Sequence, residues 1–167
     1  LSVWRDGQNL MTGGDGRFGL APAGEAFAAG VLAHLPALLA IGAPSMSSYL
    51  RLIPSHWAGV YACWGLENRE AALRMITGST GSSEWAANVE VKCFDLTANP
   101  YLLLAGLLAA GFDGLARDAR LPEPIDVDPA ALTPQELAER GIWRLPTSLR
   151  ESTDALANDQ VLRDGLG

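Results

Sequence analysis

The chain is poor in the residues that usually advertise a chemistry. Lys92 is its only lysine, and the formal net charge over 167 residues is -7. That balance excludes the broad cationic surface that non-specific nucleic-acid binding requires. Two histidines, His34 and His56, lie without the acidic or thiol spacing of a zinc motif. His34 falls within a predicted helix and reads as a packed or helix-face histidine. The two cysteines, Cys63 and Cys93, lie in apolar strand-like runs and read as buried reduced thiols. No G-x-S-x-G elbow occurs. The turn at Gly13–Gly16 lacks the Lys-Ser/Thr that closes a phosphate loop. There is no internal repeat, no low-complexity tract and no visible signal peptide. The longest apolar run, Tyr101 to Phe112, is short of the ~20 residues that cross a bilayer as a helix. A cytoplasmic protein with no membrane span and no nucleic-acid partner is the expectation.

What is present is globular. Apolar residues make up 49% and charged residues 19%, enough for the core of one domain or of part of a larger one. The chain opens on Leu1 rather than methionine, so it reads as cut, processed or a fragment. LSVW is an alternating strand start. Residues 22 to 41 predict a helix, with Pro22 in its first turn and Phe27, Val31, Leu35 and Leu38 on one face. Pro36 predicts a kink, and Gly42 with Pro44 a stop. Residues 43 to 58 read as a loop or short strand carrying Arg51. Residues 59–66 and 71–77 read as strands joined by ENRE, residues 78–87 as a surface loop, and residues 88–95 as a further strand. In that strand Val89, Val91 and Cys93 point one way, Glu90 and Lys92 the other. Asn99 caps a helix that starts at Pro100 and runs to about Arg117, apolar nearly all round and therefore expected in the core. Residues 119–132 look like a surface excursion. Thr133 with Glu136, and Ser148 with Glu151, form two capping boxes. The sum is an α+β fold: an antiparallel sheet backed by two long helices, its charged face left for a site.

The stretch from Ser48 to Asp95 carries the chemistry. It sets Arg51, Arg69, Arg74, Glu90 and Lys92 among residues that otherwise read as buried strand. Charges in apolar strands are costly unless paired or bound, and among these five the excess is positive. An anionic ligand is the simplest reason. Glu90 and Lys92 share a strand face about 7 Å apart at ~3.3 Å per residue. They read either as an ion pair on a solvated face or as a carboxylate for a hard divalent cation beside an ammonium for an anion. Magnesium prefers carboxylate oxygen shared with phosphate and water, and arginines grip phosphate or carboxylate bidentately. ATP-driven carboxylate activation fits that set. Trp57, Trp64 and Trp85 read as core or lid residues.

Five segments in order, SVWRDGQNLM, AAGVLAHLPALLAIGAPSMSSYLRLIP, NREAALR, VEVK and ANPYLLLAGLLAAGFDGL, resemble the C-terminal part of the catalytic domain of glutamine synthetase and its γ-glutamyl ligase relatives. The tail LPTSLRESTDALANDQVLRDGLG fits more loosely. The resemblance implies that Arg51 holds the carboxylate of a glutamate-like substrate and that Arg69 touches both substrate and ATP phosphate. Arg74 then lies on the ATP side, Ser2 near the adenine nucleotide, and Glu90 on a divalent metal, Mg2+ or Mn2+. Lys92 stands where the family usually has an arginine at the substrate carboxylate. The implied reaction forms an acyl phosphate from the γ-carboxylate and ATP, then displaces phosphate with ammonia or another amine. The implied partner is a second copy of the full-length chain, in stacked rings with sites between subunits.

Three departures matter. The family's flap carries a glutamate where this chain has Trp57, which turns expectation from ammonia toward a larger amine, with Trp57 packing on it and His56 as a candidate base. Lys92 for arginine keeps the charge and loses the fork. The family's upstream metal-ligand strands and N-terminal domain are absent from residues 1–167, so this fragment alone is expected to be inactive. The rival reading is a non-catalytic relative that keeps the fold and binds a ligand or partner. The family's adenylylated tyrosine would fall near Pro129 to Leu132, where there is none, so regulation of that kind is not expected.

Overall fold

A computed structural model describes all residues, Leu1 to Gly167. Helix α1 (Pro22–Gly42) is the centre of the molecule. It packs on α4 (Pro100–Ala116) and α6 (Leu149–Ala157), and touches β3 (Tyr61–Leu66) and α7 (Gln160–Leu166). Phe27, Val31, Leu35 and Leu38 are all buried, as their spacing predicts, and so are Leu32 and Leu39 on other faces. The helix runs on through Pro36. It is also long and apolar enough to cross a bilayer, unlike the shorter run expected to be the longest; here 72% of its most apolar window is buried inside the protein. A helix apolar all round belongs in a core.

The expectation for α4 is corrected. Only Gly106, Ala110, Gly111 and Gly114 are buried, on the side facing α1, whereas Tyr101, Leu104, Leu108 and Phe112 lie exposed on another. The contact is glycine-mediated: a Cβ at Gly30 would meet the Ala110 carbonyl and Gly114, and one at Gly114 the Ala26 carbonyl. Close backbone approach, rather than a wide apolar stripe, joins the two helices. Asn99 caps α4 by accepting from the Tyr101 and Leu102 amides at 3.0 and 3.3 Å.

The α+β class stands, but the sheet is mixed rather than antiparallel. Its order is β3, β4 (Ala71–Ile76), β5 (Asn88–Val91); β3 and β4 run parallel, β4 and β5 antiparallel. Parallel neighbours ordinarily need a long crossover. Here residues 67–70 make the return through a bend and a turn, with the Glu67 amide donating to the Met75 carbonyl at 2.9 Å. The short linker made a hairpin the natural expectation. Strand β5 is also shorter than expected, ending at Val91; Lys92 begins the turn, and its amide still donates to the Ala72 carbonyl at 2.9 Å.

At the N-terminus β1 (Trp4–Arg5) and β2 (Gln8–Asn9) form a hairpin around Asp6 and Gly7, both left-handed at φ 51° and 79°. Asp-Gly is the residue pair that such a turn selects. Two short helices, α2 (Ser48–Arg51) and α3 (Ser83–Ala86), interrupt the expected loops. Helix α5 (Pro134–Glu139) carries the complete Thr133–Glu136 capping box. At α6 the Ser148 hydroxyl accepts from the Glu151 amide, while the Glu151 carboxylate reaches back to the Thr147 amide. Cys63 and Cys93 are free and buried, and burial pushes both thiols up to about 12, so neither is a nucleophile at neutral pH.

Candidate functional site

Alternation along β4 and β5 builds the charged face. Leu73, Met75 and Val89 turn into the core, which leaves Arg74 and Glu90 opposite each other across the antiparallel pair and Lys92 two residues further on. Arg74 Nη1 donates to Glu90 at 3.3 Å, and Lys92 Nζ lies 3.6 Å from the other Glu90 oxygen. Arg74 also pairs with Glu67, which the return segment brings onto the face. Burial works against the Arg74 charge, and the Glu67 and Glu90 carboxylates overcome it, holding the guanidinium above its ordinary value. The positive excess expected among five residues is therefore smaller than it looked. Glu67 was the overlooked member; its place in ENRE marked it only as turn material.

What remains is cation outside any ion pair. Arg51, at the end of α2, donates to the Cys93 and Phe94 carbonyls at 3.0 and 3.1 Å and makes no ion pair. Nearby, burial tends to raise the Asp95 carboxyl, but hydrogen bonds from Ser48 and Thr97 and the charge of Arg51 hold it below its usual range. Arg69, on the return segment, makes no ion pair either; its Cζ stands 5.3 Å from the centre of the Trp57 ring. An exposed cation–π contact of this kind is worth only ~0.5–1 kcal/mol. The Arg74 Nε–H is buried and has no partner at all. A buried donor left unpaired costs about 1–3 kcal/mol, which the oxygen of a bound anion would relieve.

The loop before β3 is pinned beside this face. Ser55 Oγ donates to Asp128 at 2.6 Å, and the Trp57 amide donates to Glu70 at 2.8 Å. Ser55, Trp57 and Glu67 all hold left-handed backbones, at φ 59°, 56° and 51°. For side chains larger than glycine that conformation costs ~1–3 kcal/mol and gathers at functional sites. Gly59, at φ 61°, packs so closely that a Cβ would meet Lys92 and the Ala71 carbonyl. His56 is exposed and its Nδ1 lies 2.8 Å from the Pro54 carbonyl, within its own loop. Trp64, by contrast, is core, donating from Nε1 to the Pro122 carbonyl at 2.7 Å.

Ser2 lies on the far edge of β5. The backbone of Leu1 exchanges hydrogen bonds with Val89 at 2.8 and 2.9 Å, and Ser2 Oγ accepts from Trp4 Nε1 at 2.9 Å. Trp4 and Trp85, with ring centres 5.7 Å apart, border a cleft of about 370 Å3 floored by Asn9, Leu10 and Gly13. The sequence reading missed this pairing because 81 residues separate the two rings. The sequence-predicted set thus divides into Arg74–Glu90–Lys92 with Arg51 at one end of the sheet, Arg69–Trp57–His56 on the adjoining loops, and Ser2 at the β5 edge.

A divalent metal does not fit these residues by themselves. Glu90 is a single carboxylate with cations on both its oxygens, and no group of three metal-binding side chains occurs anywhere in the chain. Magnesium or manganese at Glu90 requires further oxygen ligands from outside residues 1–167.

The family model for the glutamine synthetase catalytic domain matches residues 1–167. The γ-glutamylpolyamine synthetase GlnA3 of Streptomyces coelicolor is 58% identical over the whole chain, which covers 36% of that protein. A glutamine synthetase of Thermococcus kodakarensis is 37% identical, again over the whole chain and 36% of its length. A solved glutamine synthase homologue superposes with TM-score 0.77 at 40% identity, over 96% of this chain and 34% of that one. GmaS in complex with ADP superposes with TM-score 0.80 at 32% identity, over 99% and 37%. The chain thus spans about a third of the length of the relatives it matches, and it belongs to the glutamine synthetase catalytic-domain family.

Proposed function

We propose that this chain is the C-terminal part of the catalytic domain of an ATP-dependent γ-glutamyl amide ligase whose acceptor is a polyamine. The observation that carries the reading is 58% identity, over all 167 residues, to a γ-glutamylpolyamine synthetase. Supporting it are two guanidinium groups that form no ion pair, Arg51 and Arg69, and the unpaired Arg74 Nε–H.

In this reading the γ-carboxylate of glutamate attacks the terminal phosphorus of ATP and ADP leaves. An amine nitrogen of the acceptor then attacks the acyl carbon and inorganic phosphate departs. Arg51, steadied by two backbone carbonyls, holds the substrate α-carboxylate, and Lys92 adds a point charge to it. Arg69 is unpaired and exposed, free to follow the charge that moves from carboxylate to phosphoryl group. Arg74, fixed by Glu67 and Glu90, lies on the ATP side. Ser2 and the Trp4–Trp85 cleft take the adenine end of the nucleotide. Mg2+ or Mn2+, with Glu90 as one ligand, belongs to the same proposal, as do assembly into rings with sites between subunits and a cytoplasmic location. His56, exposed beside Trp57, is the candidate base for the amine.

The test is a coupled ADP-release assay on the full-length protein with glutamate, magnesium and a panel of ammonium, ethylamine, 1,4-diaminobutane and longer polyamines. Turnover fastest with a polyamine is expected, and none from residues 1–167 alone. Preference for ammonium overturns the acceptor assignment. No ADP release with any amine returns the non-catalytic reading.

A further inference from the structure

Trp57 is an odd residue in its place. It is 63% exposed, so burial does not explain it. Its backbone is left-handed at φ 56°, a conformation that a bulky side chain rarely adopts. Its mount is nevertheless held from both sides, by Glu70 at its own amide and by Asp128 at Ser55. The result is an aromatic face presented to solvent from a fixed loop, next to the charged face of β4 and β5 through the tight packing of Gly59 on Lys92. The one group on that face is a cation, Arg69, which has no carboxylate partner to keep it there. Two carboxylates hold the loop that mounts the ring, Glu70 at the Trp57 amide and Asp128 at the Ser55 hydroxyl, and acidic groups against that loop favour a second cation rather than repelling it.

We propose that the Trp57 indole is a cation seat with two alternative occupants, the Arg69 guanidinium at rest and an ammonium group of the acceptor during turnover. The acceptor's arrival displaces Arg69 from the ring and releases it toward the phosphoryl group, so Trp57 sets specificity for an amine carrying a second positive charge. The contact is weak enough to exchange, because an exposed cation–π pair is easily displaced by a competing cation. The inference rests on the polyamine reading above, and deepens it by naming the residue that selects the acceptor and the group it displaces.

The experiment uses the full-length enzyme and the variants Trp57→Ala and Trp57→Phe. Two amines of matched length are compared, 1,4-diaminobutane and the singly charged butylamine. Trp57→Ala is expected to raise KM for the diamine about two- to fivefold, and to leave KM for butylamine and KM for glutamate nearly unchanged. Trp57→Phe, which keeps a weaker π face, falls between. An equal rise for both amines, or no rise for either, overturns the proposal. Binding is read separately from tryptophan emission, as the difference between wild type and Trp57→Phe. 1,4-Diaminobutane is expected to change that difference and uncharged 1,4-butanediol is not. If the wild type turns over no polyamine, the functional reading fails, while the emission titration still decides whether the ring takes a diammonium ion. Normal polyamine turnover with an unresponsive Trp57 emission sinks the cation seat alone.

Discussion

The charges around His34 and those along β4 and β5 are made of the same kinds of groups and arranged to opposite effect. At His34 the ring bridges three helices: Nδ1 lies 2.6 Å from Asp159 and Nε2 3.0 Å from Asp113. Asp159 also caps α7 by accepting from the Leu162 amide at 3.0 Å, and Asp113 also accepts from Arg117 Nε at 2.8 Å. Every member is engaged by another, and the network ties α1, α4 and α7 together. Along β4 and β5 the accounting is left open. Arg51 rests on carbonyls, Arg69 on an aromatic ring, and one Arg74 donor on nothing. Number of cations does not distinguish an open face from a structural knot. Unspent hydrogen-bonding capacity does.

That contrast can be broken. Its largest consequence is Arg69→Ala in the full-length protein, where loss of the group proposed to stabilise transferring phosphoryl charge is expected to lower kcat/KM by about 10³-fold. Arg69 is exposed and makes no ion pair, so Tm should stay within about 2 °C. A large fall in Tm with modest loss of activity would make the open face structural after all.

His34→Ala is the reverse case. It leaves Asp113 and Asp159 facing each other without their bridge, both side chains under 20% exposed. A loss of about 2 kcal/mol in denaturant unfolding is expected, with kcat/KM changed less than about threefold. Activity collapsing ahead of stability would show that the knot belongs to the chemistry.

The smallest effect is on acid stability. The Arg117 hydrogen bond, opposed by burial and helped by His34, holds the Asp113 carboxyl below its ordinary range. A carboxyl lowered in the folded state contributes stability above its unfolded value of about 4, and the contribution is lost as pH falls through the folded value. Urea midpoints should therefore drop between about pH 5 and 3, and drop less in Asp113→Asn. Identical pH profiles for the two proteins would remove Asp113 from the network.

Much of this was legible in the residues. The Pro22 start of α1 and the Asn99–Pro100 start of α4 follow from local backbone chemistry and are observed. The in-and-out alternation of Val89 and Glu90 is likewise observed. The missed features have one cause. Strand direction in β3 and β4 is not legible locally, because a four-residue link ordinarily means a hairpin. Glu67 was not matched to Arg74 because no local period joins them. The exposed side of α4 reads as core because its composition is apolar on every face, and only the position of α1 says which face is covered.

Residue pattern alone carries the family, the element boundaries set by caps and prolines, and which residue types are available to bind an anion. Tertiary structure decided which of those charges are already spent. Pairing across 16 residues, as in Arg74 with Glu90, or across 125, as in His34 with Asp159, depends on how strands and helices meet. Electrostatic and hydrogen-bond energies fall off over a few ångströms of space, and distance along the chain does not report that separation.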